Sequence, residues 1–79
     1  MNSPAVIIMS NFIKDQFVID FKVPSGLKPL IDELEEADRI NDFGKYFVAA
    51  DNLDPAAKAY YSMGMISKRD WDLLLKRYV

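Results

Sequence analysis

The sequence contains no cysteine and no histidine among its 79 residues. Without cysteine it can form neither a disulfide nor a thiolate nucleophile, and small secreted domains usually need disulfides, so we expect a cytoplasmic protein. Without histidine it lacks the side chain most often used in general acid–base catalysis. Both of the usual zinc-binding residue types are missing as well. These absences predict a protein that is not an enzyme and that binds no metal or other cofactor.

Long apolar runs and clustered glycines are also missing. The uncharged stretch at the start ends at Lys14, which is too short for a membrane span, and it lacks the basic flank of a signal peptide. The three glycines are too scattered to form a phosphate-binding loop. We therefore expect no membrane association and no small-molecule substrate. Residues 1–79 suit a single domain, with Met9 a plausible alternative start and residues 1–8 then a disordered extension.

What the chain does contain is aromatic side chains and separated charge. Five Phe, four Tyr and one Trp are more large rings than so small a core buries easily. Residues 25–54 hold eight acidic and three basic side chains, a net charge of −5, whereas residues 55–79 hold five basic and two acidic ones, a net charge of +3. Oppositely charged halves can attract each other within one chain or between two copies. Both features favour a protein that binds other proteins.

The N-terminal part has the pattern of β-structure. In residues 9–23, Phe17, Ile19, Phe21 and Val23 alternate with more polar residues, which is the period of a strand with one buried face. Residues 5–9 are also rich in β-branched side chains, so the two stretches could form a hairpin. Pro24 and Gly26 then interrupt the pattern. This segment predicts either one strand or a β-hairpin.

Residues 27–79 have the pattern of short helices. Apolar spacing predicts a helix over residues 27–40 and a second one, capped by Asn41 or Asp42, that extends to about residue 51 with a stripe containing Phe43 and Phe47. The pair Asp54-Pro55 predicts a new helix over residues 55–63, ending at Gly64. Ser67 caps a last helix, whose apolar stripe begins at Trp71.

The predicted fold class is therefore α+β: a short N-terminal strand or hairpin followed by three to four helices that end in a helical hairpin. The alternative is an all-α fold in which residues 12–23 dock on the helices as an irregular arm.

Four bulky side chains surround the turn of the predicted C-terminal hairpin. They are the candidate partner-binding residues Tyr60, Tyr61, Met63 and Met65. A small core cannot readily bury all four, and Tyr and Met both suit protein contact surfaces. We expect the partner to be another protein or a second copy of the chain, which would make the protein an oligomer.

The hairpin also resembles a known family. Residues 59–78 begin Ala-Tyr-Tyr-Ser-Met-Gly-Met-Ile-Ser-Lys-Arg-Asp-Trp, a pattern similar to the short helical hairpin of SHOCT-type bacterial domains. Residues 27–79 as a whole resemble small bacterial proteins of uncharacterised function. The resemblance implies an interaction or oligomerisation element and no enzymatic activity.

A small DNA-binding regulator is the alternative function. Two helices joined at Gly64 have the order of a helix-turn-helix in residues 55–79. The candidate nucleic-acid contacts are Lys68, Arg69, Lys76 and Arg77. A sequence pI of about 4.9 weighs against this alternative, because DNA-binding domains are usually basic.

Overall fold

A computed structural model describes residues 10–79 of the chain, and the possible extension at residues 1–8 lies outside them. The described elements are a short 3₁₀ helix, Ser25–Leu27, followed by three α-helices: α1, Lys28–Arg39; α2, Phe43–Ser62; and α3, Lys68–Tyr78. No strand occurs between residues 10 and 79. The α+β prediction is therefore wrong, and the all-α alternative fits.

The predicted strand over residues 9–23 is an irregular arm in its described part. Its alternation is real, since Phe17, Ile19, Phe21 and Val23 are half-buried while Val18 is exposed. The half-buried side chains face helices, however, and no second strand within residues 10–79 lies alongside to accept a ladder of backbone hydrogen bonds. The other predicted stretch of the hairpin, residues 5–9, lies outside the described residues. Period-two burial requires only an extended chain on an apolar surface, so the pattern predicted the buried face correctly and the secondary structure wrongly.

Polar contacts fix this arm to both α1 and α3. The carboxylate of Asp38 in α1 accepts the backbone N–H groups of Phe12 at 2.6 Å and Ile13 at 3.0 Å. On the side of α3, the Lys14 N–H donates to the Arg77 carbonyl at 2.9 Å. The Arg77 guanidinium in turn donates to the Phe17 carbonyl at 2.9 Å. The arm is therefore part of the folded unit, and Ile13 is buried in its core.

The junction between α1 and α2 uses two neighbouring polar residues. Asn41 has a φ of +57°, the left-handed conformation that Asn tolerates better than most residues, and it ends α1. Asp42 then caps α2 by accepting the Lys45 N–H at 3.0 Å. Of the two predicted caps, Asp42 is the one used.

Helix α2 joins two predicted helices into one. A break before Pro55 was predicted, but Phe43–Ser62 is continuous and Pro55 lies inside it. Proline removes one backbone hydrogen bond and costs a helix interior about 3 kcal/mol. The buried stripe of α2 offsets this cost, because it continues without interruption on both sides of Pro55 through Tyr46, Ala49, Ala50, Leu53 and Ala57.

The turn between α2 and α3 agrees with the sequence prediction. Gly64 has a φ of +74°, and the Met65 N–H donates to the Tyr60 carbonyl at 2.9 Å across the turn. Ser67 caps α3 by accepting the Asp70 N–H at 3.0 Å. The end of α2 and the start of α3 are thereby fixed by local residues.

The core is formed where the elements meet. One leucine from each helix, including the 3₁₀ helix, is completely buried: Leu27, Leu34, Leu53 and Leu74. Phe43 and Phe47, predicted as part of the apolar stripe of the second helix, lie outside the core, since these side chains are 63% and 58% exposed. Among residues 10–79, no helix combines the length and the apolar character needed to cross a bilayer.

Candidate interaction surfaces

Three of the four predicted partner-binding residues form an exposed surface at the end of the α2–α3 hairpin. Met63 and Met65 are 63% and 59% exposed, and Tyr61 is 36% exposed. Tyr61 stacks on Trp71 of α3, with ring centroids 4.9 Å apart and an interplanar angle of 16°. We name Tyr61, Met63 and Met65 the turn surface. Residues 61–65 are all exposed, so this surface projects from the end of the bundle.

Tyr60, the fourth predicted residue, serves the fold instead. Its side chain is half-buried against the core, and it lies over the 3₁₀ helix so closely that a Cβ atom at Gly26 would collide with its hydroxyl. The absence of a side chain at Gly26 therefore leaves the space that the Tyr60 ring occupies.

A second apolar surface was not predicted as a binding site. Phe43 and Phe47, one turn apart on α2, have ring centroids 6.0 Å apart, and Phe12 of the arm lies 5.6 Å from Phe43. Together with the C-terminal end of α3, these three rings enclose a groove of about 290 Å³. We name it the aromatic groove; it is lined by Phe12, Phe43, Tyr46, Phe47, Ala50, Asp51, Tyr78 and Val79.

One sequence signal could have indicated this groove. An apolar stripe through Tyr46, Ala49, Ala50 and Leu53 already supplies a complete buried face, and Phe43 and Phe47 fall to one side of it. One face of a helix cannot hold both this stripe and the two rings, so Phe43 and Phe47 are left over beside it.

A polar network lies beneath the aromatic groove. The Tyr46 hydroxyl donates to the Tyr78 carbonyl at 2.6 Å, and the Tyr78 hydroxyl donates to the Glu35 carboxylate at 3.0 Å. Burial raises the pKa of both phenols, because a tyrosinate would lose its hydration there, and the charge of Asp38 adds to the effect on Tyr46. Both phenols therefore stay protonated at neutral pH and fix the floor of the groove.

Most of the predicted nucleic-acid contacts are paired with carboxylates. Arg69 binds Asp20 of the arm at 2.9 Å, and its hydrogen bond lowers the pKa of that carboxyl. Lys76 lies 3.1 Å from Asp72.

Arg77 is the most enclosed of the four cations. Its side chain is only 18% exposed and lies 3.7 Å from Asp15 and 3.9 Å from Glu35. Lys68, by contrast, is exposed and enters none of the ion pairs within residues 10–79. The four cations therefore do not combine into one free basic face.

Lys68 lies beside the turn surface. It borders an open depression of about 410 Å³ whose apolar walls are Trp71 and Leu75 and whose remaining lining is Arg69 and Asp72. Because Trp71 also stacks on Tyr61, this depression and the turn surface share a wall. A cation is thus available next to the exposed Tyr and Met side chains.

Neither the placement of carboxylates nor comparison with known proteins indicates a further functional site. Within residues 10–79, no group of three or more carboxylates is placed to hold a metal ion. No protein-family model matches the chain, and neither a curated protein nor a solved structure is significantly similar to it. The turn surface and the aromatic groove are therefore the features that bear on function.

Proposed function

We propose that this chain is a small, non-enzymatic protein–protein interaction module of the cytoplasm that associates with copies of itself. The single observation that carries the proposal is the exposure of Phe43 and Phe47, at 63% and 58%, on a regular helix beside a groove. Aromatic and Met side chains are enriched at protein interfaces, and contiguous apolar patches on soluble monomers are usually small unless they have a function.

Rigidity supports the same proposal. The groove is built from α2 and α3 and from an arm that Asp38 holds in place, so its walls are ordered before any partner arrives. A preformed surface loses less conformational entropy on binding than a flexible one does. The turn surface, predicted from the sequence, supplies a second apolar contact area. The resemblance of residues 59–78 to SHOCT-type hairpins points to the same class of function.

Replacing the exposed rings tests the proposal. We expect the variant Phe43→Ser/Phe47→Ser to keep its helical content and lose self-association, with an apparent dissociation constant at least about tenfold higher by sedimentation equilibrium. The matched control is Val48→Ser, which removes a side chain that is 61% exposed on the same helix but outside the groove lining. Self-association that survives in the double variant would exclude the groove as the interface.

A DNA-binding regulator remains the alternative proposal, with less support. Its candidate contacts are Lys68, Arg69, Lys76 and Arg77. Because carboxylates neutralise three of these four cations, the hairpin presents little of the free positive charge that phosphate binding requires.

A further inference from the structure

The two apolar surfaces lie at opposite ends of one rigid helix. Phe43 and Phe47 occupy the first turns of α2, whereas Tyr61 lies in its last turn and Met63 directly follows it. At 1.5 Å per residue, the fourteen residues from Phe47 to Tyr61 separate the two surfaces by roughly 20 Å. One compact cluster of partner side chains cannot therefore cover both surfaces.

The surfaces also differ in shape. The aromatic groove is concave, whereas the turn surface is a run of five exposed residues, 61–65, that projects from the bundle. Met side chains are unbranched and adaptable, and they pack favourably against aromatic rings. The side chains of Met63 and Met65 therefore have the chemistry and the exposure to fill a groove walled by Phe12, Phe43 and Phe47.

The charges around the two surfaces are complementary. Asp51 lines the aromatic groove. Lys58 lies one turn before Tyr61, and Lys68 borders the depression beside it. Asp54 lies midway along α2 between Phe47 and Tyr61 and belongs to neither surface. Neither Asp51 nor the two lysines enter an ion pair within residues 10–79. An acidic side chain at the groove and basic side chains at the turn surface favour contact between unlike ends.

We propose that the aromatic groove of one copy binds the turn surface of a second copy, so that the chain assembles head to tail. The proposal rests on the self-association proposed above and adds its geometry. Two grooves facing each other would instead bring Asp51 against Asp51 and leave Met63 and Met65 uncovered. In the head-to-tail contact, each added copy offers a new groove or a new turn surface, and assembly continues until a ring closes or a filament forms.

Mixing two single-surface variants tests this geometry. The groove variant is Phe43→Ser/Phe47→Ser, and the turn variant is Met63→Ser/Met65→Ser. Each should be a monomer by light scattering, while the wild-type chain should grow beyond a dimer as its concentration rises. An equal mixture of the variants should form a pair of two chains and nothing larger, because one variant retains only the turn surface and the other only the groove. Circular dichroism verifies the fold of both, and Val18→Ser is the control, since this side chain is 67% exposed outside both surfaces.

Charge exchange provides a second measurement. We expect Asp51→Lys and Lys58→Glu/Lys68→Glu each to weaken association at least about tenfold at low salt. Mixing these two variants should restore the association, because the basic groove of one then meets the acidic turn surface of the other, while the unchanged groove meets the unchanged turn surface. Salt should weaken the wild-type assembly for the same reason.

Several outcomes would overturn the proposal. A mixture of the groove and turn variants that stays monomeric, while wild type associates through Phe43 and Phe47, leaves the interaction function standing and excludes the head-to-tail contact. A full-length chain that stays monomeric and binds a different protein through Phe47 also contradicts it. So does a monomer that associates only after Val6, Ile7 and Ile8 are changed to serine, because the groove would then belong to the chain's own N-terminal segment.

Discussion

Two glycines show how the same residue can stabilise or weaken this chain according to its backbone. Gly64 lies in the α2–α3 turn with a φ of +74°, where a side chain would be strained although nothing lies within 4 Å of the Cβ position. Gly44 lies in the first turn of α2, where a Cβ would only approach the Asp42 carboxylate at 3.7 Å. Space is available at both positions, so the backbone conformation alone decides the effect of a substitution.

We expect Gly64→Ala to lower the free energy of unfolding by about 1–2 kcal/mol, the cost of a left-handed conformation for a residue with a Cβ atom. Gly44→Ala should raise it by up to about 1 kcal/mol, because alanine restricts the unfolded chain and favours helix. Urea unfolding of both variants measures whether each free energy of unfolding falls or rises. Equal effects would show that the turn does not need its glycine.

The buried phenol of Tyr46 makes stability sensitive to alkaline pH. Its pKa is raised in the folded chain, so the folded state holds the proton more tightly than the unfolded state does. The resulting stability is fully present below the unfolded pKa of about 10 and is lost as the pH rises above that value.

The variant Tyr46→Phe separates this effect from ordinary packing. At neutral pH it should cost about 1 kcal/mol, since the hydrogen bond to the Tyr78 carbonyl is lost. Above about pH 10 it should lose stability less steeply than wild type, because it has one phenol fewer to ionise. Thermal melts across this pH range provide the comparison. If the melting temperatures of the two proteins fall equally with pH, a group other than Tyr46 causes the alkaline loss of stability.

At the scale of elements, the arm depends on one side chain of α1. Asp38 is 8% exposed and accepts the backbone N–H groups of both Phe12 and Ile13. We expect Asp38→Ala to cost about 2–4 kcal/mol, because two buried donors lose a charged acceptor. Hydrogen exchange should then show unprotected amides at Phe12 and Ile13. Asp32→Ala, an exposed change on α1, is the control and should leave both amides protected.

Local signals predicted element boundaries well and element continuity poorly. The cap at Ser67 and the left-handed Gly64 each depend on neighbouring residues, so the sequence contains the whole cause. Pro55 also carries a local signal, for a helix start, but burial of Leu53 and Ala57 on either side of it outweighs that signal. The arm was misassigned for a similar reason, since its alternation records contact with helices that are distant in the sequence.

At the scale of the whole molecule, the structure brings opposite charges together across the chain. Arg69 and Arg77 of α3 both contact carboxylates of the arm, at Asp20 and Asp15. The +3 of residues 55–79 is thus partly neutralised by a segment whose own net charge is zero. The contacts of α3 with the arm could not be predicted from the net charges of residues 25–54 and 55–79, because the arm was expected to pair as a strand.

DNA binding should therefore be weak. We expect the wild-type chain to leave the fluorescence anisotropy of a labelled random duplex unchanged even at about 50 mM salt. The variant Asp20→Asn/Asp72→Asn, which removes the Asp20 carboxylate from Arg69 and the Asp72 carboxylate from Lys76, should bind measurably more. Tight, salt-dependent binding by wild type that is lost in Lys68→Gln/Arg69→Gln would favour the DNA-binding alternative.

The candidate site was predictable only in part. Tyr61, Met63 and Met65 were proposed because they flank a turn that the sequence marks clearly, and they are exposed in the structure. The aromatic groove was missed because its walls come from the arm, α2 and α3, and only the folded chain brings Phe12 next to Phe43. A site assembled from three segments leaves no continuous motif.

The anchoring of the arm to α3 sets an order of events during synthesis. The arm leaves the ribosome early, yet Phe17 receives its hydrogen bond from a residue 60 positions later in the chain. The contacts of Phe12 with Asp38 and Phe43 can form once α1 and the start of α2 have emerged. The contacts of Lys14 and Phe17 with Arg77 become possible only later, so this part of the arm stays undocked for longer. Apolar side chains that remain exposed during folding are prone to aggregate, and Phe17 carries this risk for longer than Phe12 does.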